Sequence, residues 1–253
     1  MPIRAFAHRG GAMHPDLLGH ENTLRAFQHA VALGYRDIET DVHLTHDGVL
    51  VAFHDAVLDR VTDRTGAISD LPYAEIATAR IGGSEPIPTL EELVESLPAY
   101  VGMNIDLKAP GTAEALATFL RERDLEKRVI IGSFSTAEMA RFRRITEGRV
   151  ATSATPGEVA AYLASPLAFP LRRLGASVLQ IPHRRKGVTI CSSGVVRRAH
   201  ANGLEVHAWT IDDADEINLL LDRGVDGIFT DRTDILRDVL ISRGEWHRDW
   251  EGS

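Results

Sequence analysis

Short apolar runs and amphipathic stretches follow one another from end to end of this chain, and that alternation limits its architecture more than any other feature. Strands are expected at Ile3–His8, 35–44, 48–55, Val101–Leu107, Val129–Ser133, Val150–Ser153, Ser177–Ile181, Leu204–Thr210 and Gly227–Thr230. Helical spacing fills most of the intervals, at Thr23–Leu33, Leu90–Leu97, Thr112–Arg123, Thr136–Ile145, Gly157–Tyr162, Ser193–Ala201 and Ala214–Asp222. Strands that alternate with helices in this way pair in parallel, because each helix carries the chain back across the sheet. About eight such units in 253 residues match an α/β fold of the (β/α)8 barrel type, with a doubly wound sheet as the alternative. No linker divides the chain, so residues 1–253 read as one domain, with 59–85 as an irregular insertion.

In such barrels the reacting groups stand at the C-terminal ends of the strands. The sequence places ionisable residues there repeatedly: His8-Arg9 after the first strand, Glu39 and Asp41 in the second, His54-Asp55 after "GVLVAF", Asp106 and Lys108 in "NIDLK", and His207, with Trp209 beside it, in "VHAWT". Glu39 and Asp41 are two apart on a strand and share a face. Two close carboxylates repel, and a divalent cation relieves the conflict. An isolated Glu-x-Asp is more often a solvated strand face. Here the residues between and around the pair are apolar or β-branched, which favours a metal, with Asp106 as a third carboxylate. An all-oxygen set selects Mg²⁺ or Ca²⁺. His8 and His54 each end an apolar strand beside that cluster, where they read as a general acid and a general base.

The stretches "AHRG" (7–10), "ENT" (21–23), "DIETDVHLTHDGVLVAFHD" (37–55), "IPTLEEL" (87–93), "NIDLK" (104–108), "VHAWT" (206–210) and "DGIFTD" (226–231) together resemble the glycerophosphodiester phosphodiesterase family, in its order and over most of the chain. The resemblance implies a TIM barrel with a small insertion after the second unit. It also implies a divalent cation on Glu39, Asp41 and Asp106, an acid/base pair in His8 and His54, and phosphate contacts from Arg9 and Lys108. Two positions depart from the family's pattern: His20 stands where a proline usually precedes "ENT", and Asp106 where glutamate is common.

The expected reaction is metal-dependent hydrolysis of a glycerophosphodiester. The alternatives are lysophospholipase D action or a lyase that stops at a cyclic phosphate, and a catalytically silent anion-binding barrel is a third reading. Trp209 serves either as an apolar wall against the substrate or as a core residue. "HRRK" (183–186) reads as a solvated basic loop on the same rim, and Gly10 and Gly11 as room for a phosphate to approach the backbone. "YLASPLAFPL" (162–171) reads as a loop under the rim rather than a lipid-binding helix, because of its prolines. The net charge of −8 argues against nucleic acid as a partner. With neither a signal-like apolar stretch nor one long enough to insert into a bilayer, the expected location is the cytoplasm. The single cysteine, Cys191, is expected to be a buried structural thiol. The sequence carries no sign of oligomeric state.

Overall fold

A computed structural model describes residues 3–165 and 170–246. Eight parallel strands form a closed barrel: β1 (Arg4–His8), β2 (Asp37–Leu44), β3 (Gly102–Leu107), β4 (Val129–Ser133), β5 (Ala151–Ser153), β6 (Ala176–Pro182), β7 (Glu205–Trp209) and β8 (Gly227–Thr230). The ring closes where β1 pairs with β8, in the register Arg4↔Gly227 to Ala7↔Thr230, and with β2 through His8↔Glu39. Between and after the strands run α1 (Leu24–Ala32), α2 (Leu90–Ser96), α3 (Thr112–Glu122), α4 (Thr136–Thr146), α5 (Pro156–Ala164), α6 (Ser193–Ala201), α7 (Ala214–Asp222) and α8 (Thr233–Ser242). None of the described helices is long and apolar enough to cross a membrane.

Local chemistry explains where the helices begin. Thr23 accepts a hydrogen bond from Ala26 N to start α1. Thr89 and Glu92 form a full capping box at α2, and Thr155 and Glu158 do the same at α5. Helix α8 is absent from the sequence-based assignments, although Ile235, Leu236, Val239 and Leu240 carry its helical period.

Alternation along each strand separates two cores. Outward residues such as Ala7, Ile38, Val42, Ile105 and Ile131 pack under the helices. Inward residues Phe6, Ile130, Val178 and Phe229 form a smaller cluster, with Phe6 and Phe229 stacked at 4.2 Å between ring centroids. His8 lies two residues beyond Phe6 on the same face of β1, so the apolar plug ends where the polar rim begins.

The strand expected at 48–55 is not a barrel strand. Leu50–Ala52 turns back on β2 and pairs with it antiparallel, Val42 opposite Ala52. The turn is made at Asp47-Gly48, where Gly48 N bonds Thr45 O and the Thr45 hydroxyl bonds Asp47. Residues 45–89 therefore all lie outside the ring, between β2 and α2, and the insertion is longer than 59–85. It builds its own core from Val51, Phe53, Leu58, Ile68, Ile76, Ala79, Ile81 and Ile87.

Gly10 and Gly11 have a different role from the one expected. Both adopt positive φ, +84° and +92°, and a Cβ would meet Ala26 Cβ at 2.6 Å or Thr233 Oγ1 at 2.8 Å. They let the turn after β1 pack against α1 and the start of α8 rather than opening the backbone to phosphate. The central residues of the 162–171 stretch, 166–169, lie outside the described residues, as does His247.

Candidate active site

A cavity of about 640 Å³ opens at the C-terminal ends of the strands. His8, Arg9, Glu39, Asp41, His54, Asp106, Lys108 and Trp209 all line it, whereas His207, also expected on that rim, is buried beside Phe6 and Glu205.

Glu39 and Asp41 project inward from β2, and Asp106 from the neighbouring β3, with which β2 pairs Asp41 opposite Asp106. One carboxylate oxygen from each residue lies within 4.8 Å of the other two. Burial, then the Asp41 charge, drives the Glu39 carboxyl up to about 8, with His8 opposing. Burial also pushes Asp106 upward. Asp41 is equally buried, yet Lys108 and Arg9 outweigh that burial and hold its carboxyl below the usual range. Lys108 Nζ stands 2.7 Å from Asp41 Oδ1 and 3.3 Å from Asp106 Oδ2. The cluster therefore has more carboxylate than its neighbouring cations satisfy, and its all-oxygen donors fit a hard divalent ion. Gly132 on β4 makes room for it, because a Cβ there would overlap Asp106 Oδ1.

Each candidate histidine is gripped through Nδ1 by a carboxylate. His8 Nδ1 lies 2.7 Å from Asp231 Oδ1, and its Nε2 is 3.7 Å from Glu39 Oε2. Burial works against the charged imidazole, but Glu39 and Asp231 outweigh it and raise its pKa to about 9. His54 Nδ1 lies 2.6 Å from Asp55 Oδ1. The His54 carbonyl is in turn within 3.0 Å of His43 Nε2, a buried ring on β2. Both arrangements leave Nε2 as the nitrogen able to work on a ligand.

Arg9 sits at φ 50°, a conformation that swings its amide onto Glu39 Oε2 at 3.0 Å. Its guanidinium reaches Glu21 Oε1 at 3.1 Å and Asp41 Oδ2 at 3.4 Å. Glu21 also accepts two bonds from Arg60 of the insertion, at 2.9 and 2.6 Å, and Arg60 bonds Asp55 at 2.6 Å. Asn22 donates to Asp41 Oδ2 at 3.2 Å and accepts from the Thr40 hydroxyl at 2.9 Å.

The opposite wall is apolar. Phe134, Val159, Leu163, Ile190 and Trp209 face the cavity. Trp209 meets Phe134 edge-on at 6.0 Å and packs against the barrel's inner cluster, so it is both wall and core. Arg184 and Arg185 stand at the mouth on an exposed two-stranded hairpin, Arg184–Arg185 with Val188–Thr189. His183, by contrast, is buried and paired with Glu216.

A model of the glycerophosphoryl diester phosphodiesterase family matches residues 8–235. The chain belongs to that family. The curated protein called "Probable glycerophosphodiester phosphodiesterase 2" of Mycobacterium tuberculosis is 42% identical over 247 residues, which is 96% of this chain and 92% of that protein. Among solved structures, a glycerophosphodiester phosphodiesterase from Agrobacterium tumefaciens superposes with a TM-score of 0.78 at 27% identity, covering 93% of this chain and 99% of that one. An Oleispira antarctica phosphodiesterase, in complex with the product sn-glycerol-3-phosphate, gives a TM-score of 0.77 at 25% identity and covers 95% of this chain and 97% of that one.

Within this glycerophosphodiester phosphodiesterase-family barrel, the two departures are accommodated locally. His20 Nδ1 stands 3.0 Å from Leu18 O and its Nε2 is 3.4 Å from Ser84 Oγ, so the residue in place of proline ties the first loop to the insertion. Asp106 keeps contact with Lys108 despite its shorter side chain. Sequence reasoning assigned no role to Asp231, Glu21, Asn22, Asp55 or Arg60. Asp231 was accessible to it: the residue follows β8, the neighbour of β1 in any closed ring, and so had to stand beside His8.

Proposed function

We propose that this chain hydrolyses glycerophosphodiesters to glycerol phosphate and an alcohol. The observation that carries the reading is the meeting of two carboxylate-anchored histidines, a three-carboxylate cluster and two cations around one cavity. Glu39, Asp41 and Asp106 would hold Mg²⁺ or Ca²⁺. That ion would supply Lewis-acid stabilisation of charge on the phosphate oxygens.

The chain's own groups account for the remaining requirements. Arg9 and Lys108 offer positive charge to the non-bridging oxygens. One histidine takes the proton from the nucleophile, either the substrate's 2-hydroxyl or a water, and the other returns a proton to the departing alkoxide through Nε2. Asp231 and Asp55 hold the rings in the tautomer that this exchange needs. The sn-glycerol-3-phosphate described as product in the Oleispira antarctica protein is the product expected here.

The apolar wall supports a second reading within the same chemistry. Phe134, Val159, Leu163, Ile190 and Trp209 suit a glycerol moiety that carries an acyl chain, as in lysophospholipase D action, where the polar head group is the alcohol that departs. A phosphorus NMR assay with glycerophosphocholine and lysophosphatidylcholine, with Mg²⁺ or Ca²⁺, tests both. Glycerol phosphate release from the first supports the main reading, and faster turnover of the second supports the lipid reading. A cyclic phosphate that persists would assign a lyase, and no turnover of either substrate would overturn the proposal.

A further inference from the structure

A second group of metal-capable side chains stands on the loop between β1 and α1. His14 and Asp16 belong to the short 3-10 segment around Pro15–Leu17, and His29 comes from α1. His14 Nδ1 and His29 Nε2 lie 3.9 and 3.8 Å from the same oxygen, Asp16 Oδ2. The two imidazole centroids are 4.4 Å apart, and one donor atom from each residue lies within 4.8 Å of the other two. None of the three lines the catalytic cavity.

The contacts between the two rings and the shared carboxylate are loose. Separations of 3.8 and 3.9 Å are too long for hydrogen bonds. His29 Nδ1 is buried with no hydrogen-bond partner among the described residues. His14 Nδ1 accepts the Asp16 amide at 3.1 Å, a bond that ligation through that nitrogen would replace.

We infer that His14, Asp16 and His29 form a second divalent-cation site, selective for an imidazole-seeking ion of the zinc class. Two imidazoles and a carboxylate suit Zn²⁺ or Cu²⁺, whereas the all-oxygen cluster at the barrel mouth suits Mg²⁺ or Ca²⁺. Tetrahedral ligation at ordinary Zn–N and Zn–O lengths brings donors to about 3.3 Å from one another. The two imidazole-to-carboxylate gaps close to that value by roughly half an ångström of movement of the exposed Asp16 side chain, and the two rings approach by rotation about their own side-chain bonds. A water would complete the shell. Met13 N bonds the Asp231 carbonyl at 3.0 Å, so an ion held at His14 would brace a loop that also touches the residue gripping His8.

The test is a Zn²⁺ titration of the whole protein in excess Mg²⁺, by calorimetry, together with Cu²⁺ electron paramagnetic resonance. The wild type is expected to take up one equivalent of Zn²⁺ and to show nitrogen hyperfine coupling from imidazole. H29Q should lose one of the two imidazole nitrogen couplings and bind Zn²⁺ more weakly by roughly ten- to a hundredfold or more. D16N alters a side chain that is 73% exposed, and it should weaken binding by about the same factor. Equal Zn²⁺ affinity and equal nitrogen coupling in all three proteins would overturn the site. Turnover with Mg²⁺ or Ca²⁺ is a separate measurement, and its outcome does not bear on this one.

Discussion

His8 and Asp231 meet across the seam of the barrel, Nδ1 to Oδ1 at 2.7 Å, so the strand that opens the fold and the loop that follows its last strand are joined by a hydrogen bond between side chains. Asp231→Asn keeps the shape and removes the charge. The expected result is a fall in kcat of roughly 10²-fold with little change in KM, since the histidine loses its orientation and not its place. Steady-state kinetics on glycerophosphocholine checks it, and unchanged kcat would show the contact to be only structural.

His54→Ala should lower kcat by about 10²–10⁴-fold, the range for a lost acid/base group. His43→Gln should have a smaller effect, since His43 touches only the backbone carbonyl of His54. A variant series in which the two losses came out equal would mean that position, rather than proton transfer, is what His54 provides.

Chelation should abolish turnover and also lower the melting temperature. A cation that binds only the folded chain at a hundred times its dissociation constant adds about 2.7 kcal/mol. Ca²⁺ or Mg²⁺ should therefore raise Tm in the wild type and leave the E39Q/D106N double variant almost unmoved. Thermal melts with and without each ion decide the matter independently of any assay.

Cys191 gives a pH dependence with a definite sign. Burial pushes its thiol up to about 11 from an ordinary value of 9.0. The folded chain thus retains a proton that the unfolded chain gives up. Its contribution is complete below about 9 and is lost as pH rises from there through about 11. Denaturant melts across that window should fall more steeply for the wild type than for C191A, and a thiol reagent should label Cys191 only after unfolding.

Gly10→Ala should cost about 2–4 kcal/mol, from a positive φ and a close approach to Ala26 that has little slack. A denaturation midpoint unchanged from wild type would show that α1 yields more easily than its packing implies.

The barrel strands and the inward carboxylates were legible because period-two alternation and strand order act locally. Glu39 and Asp41 fall on one face wherever β2 goes, and His8 ends β1 whatever it pairs with. What the pattern did not reveal depends on partners distant in the chain. Leu50–Ala52 has a strand's composition, and only the tight turn at Asp47-Gly48 makes it fold back on β2. Gly10 and Gly11 looked like space for a ligand because their actual neighbours, Ala26 and Thr233, are remote in sequence from one another. Glu21 and Arg60 are 39 residues apart, and nothing in either local context announces their pairing.

That pairing has a consequence for how the protein can change. Glu21 holds Arg9 on one side and Arg60 on the other, so the root of the insertion is fastened to the catalytic rim while its outer part rests on a private core. The arrangement is a socket with an exchangeable fitting. A change in the segments beyond Arg60 reaches the rim through that arginine, which seats them against Glu21 and Asp55.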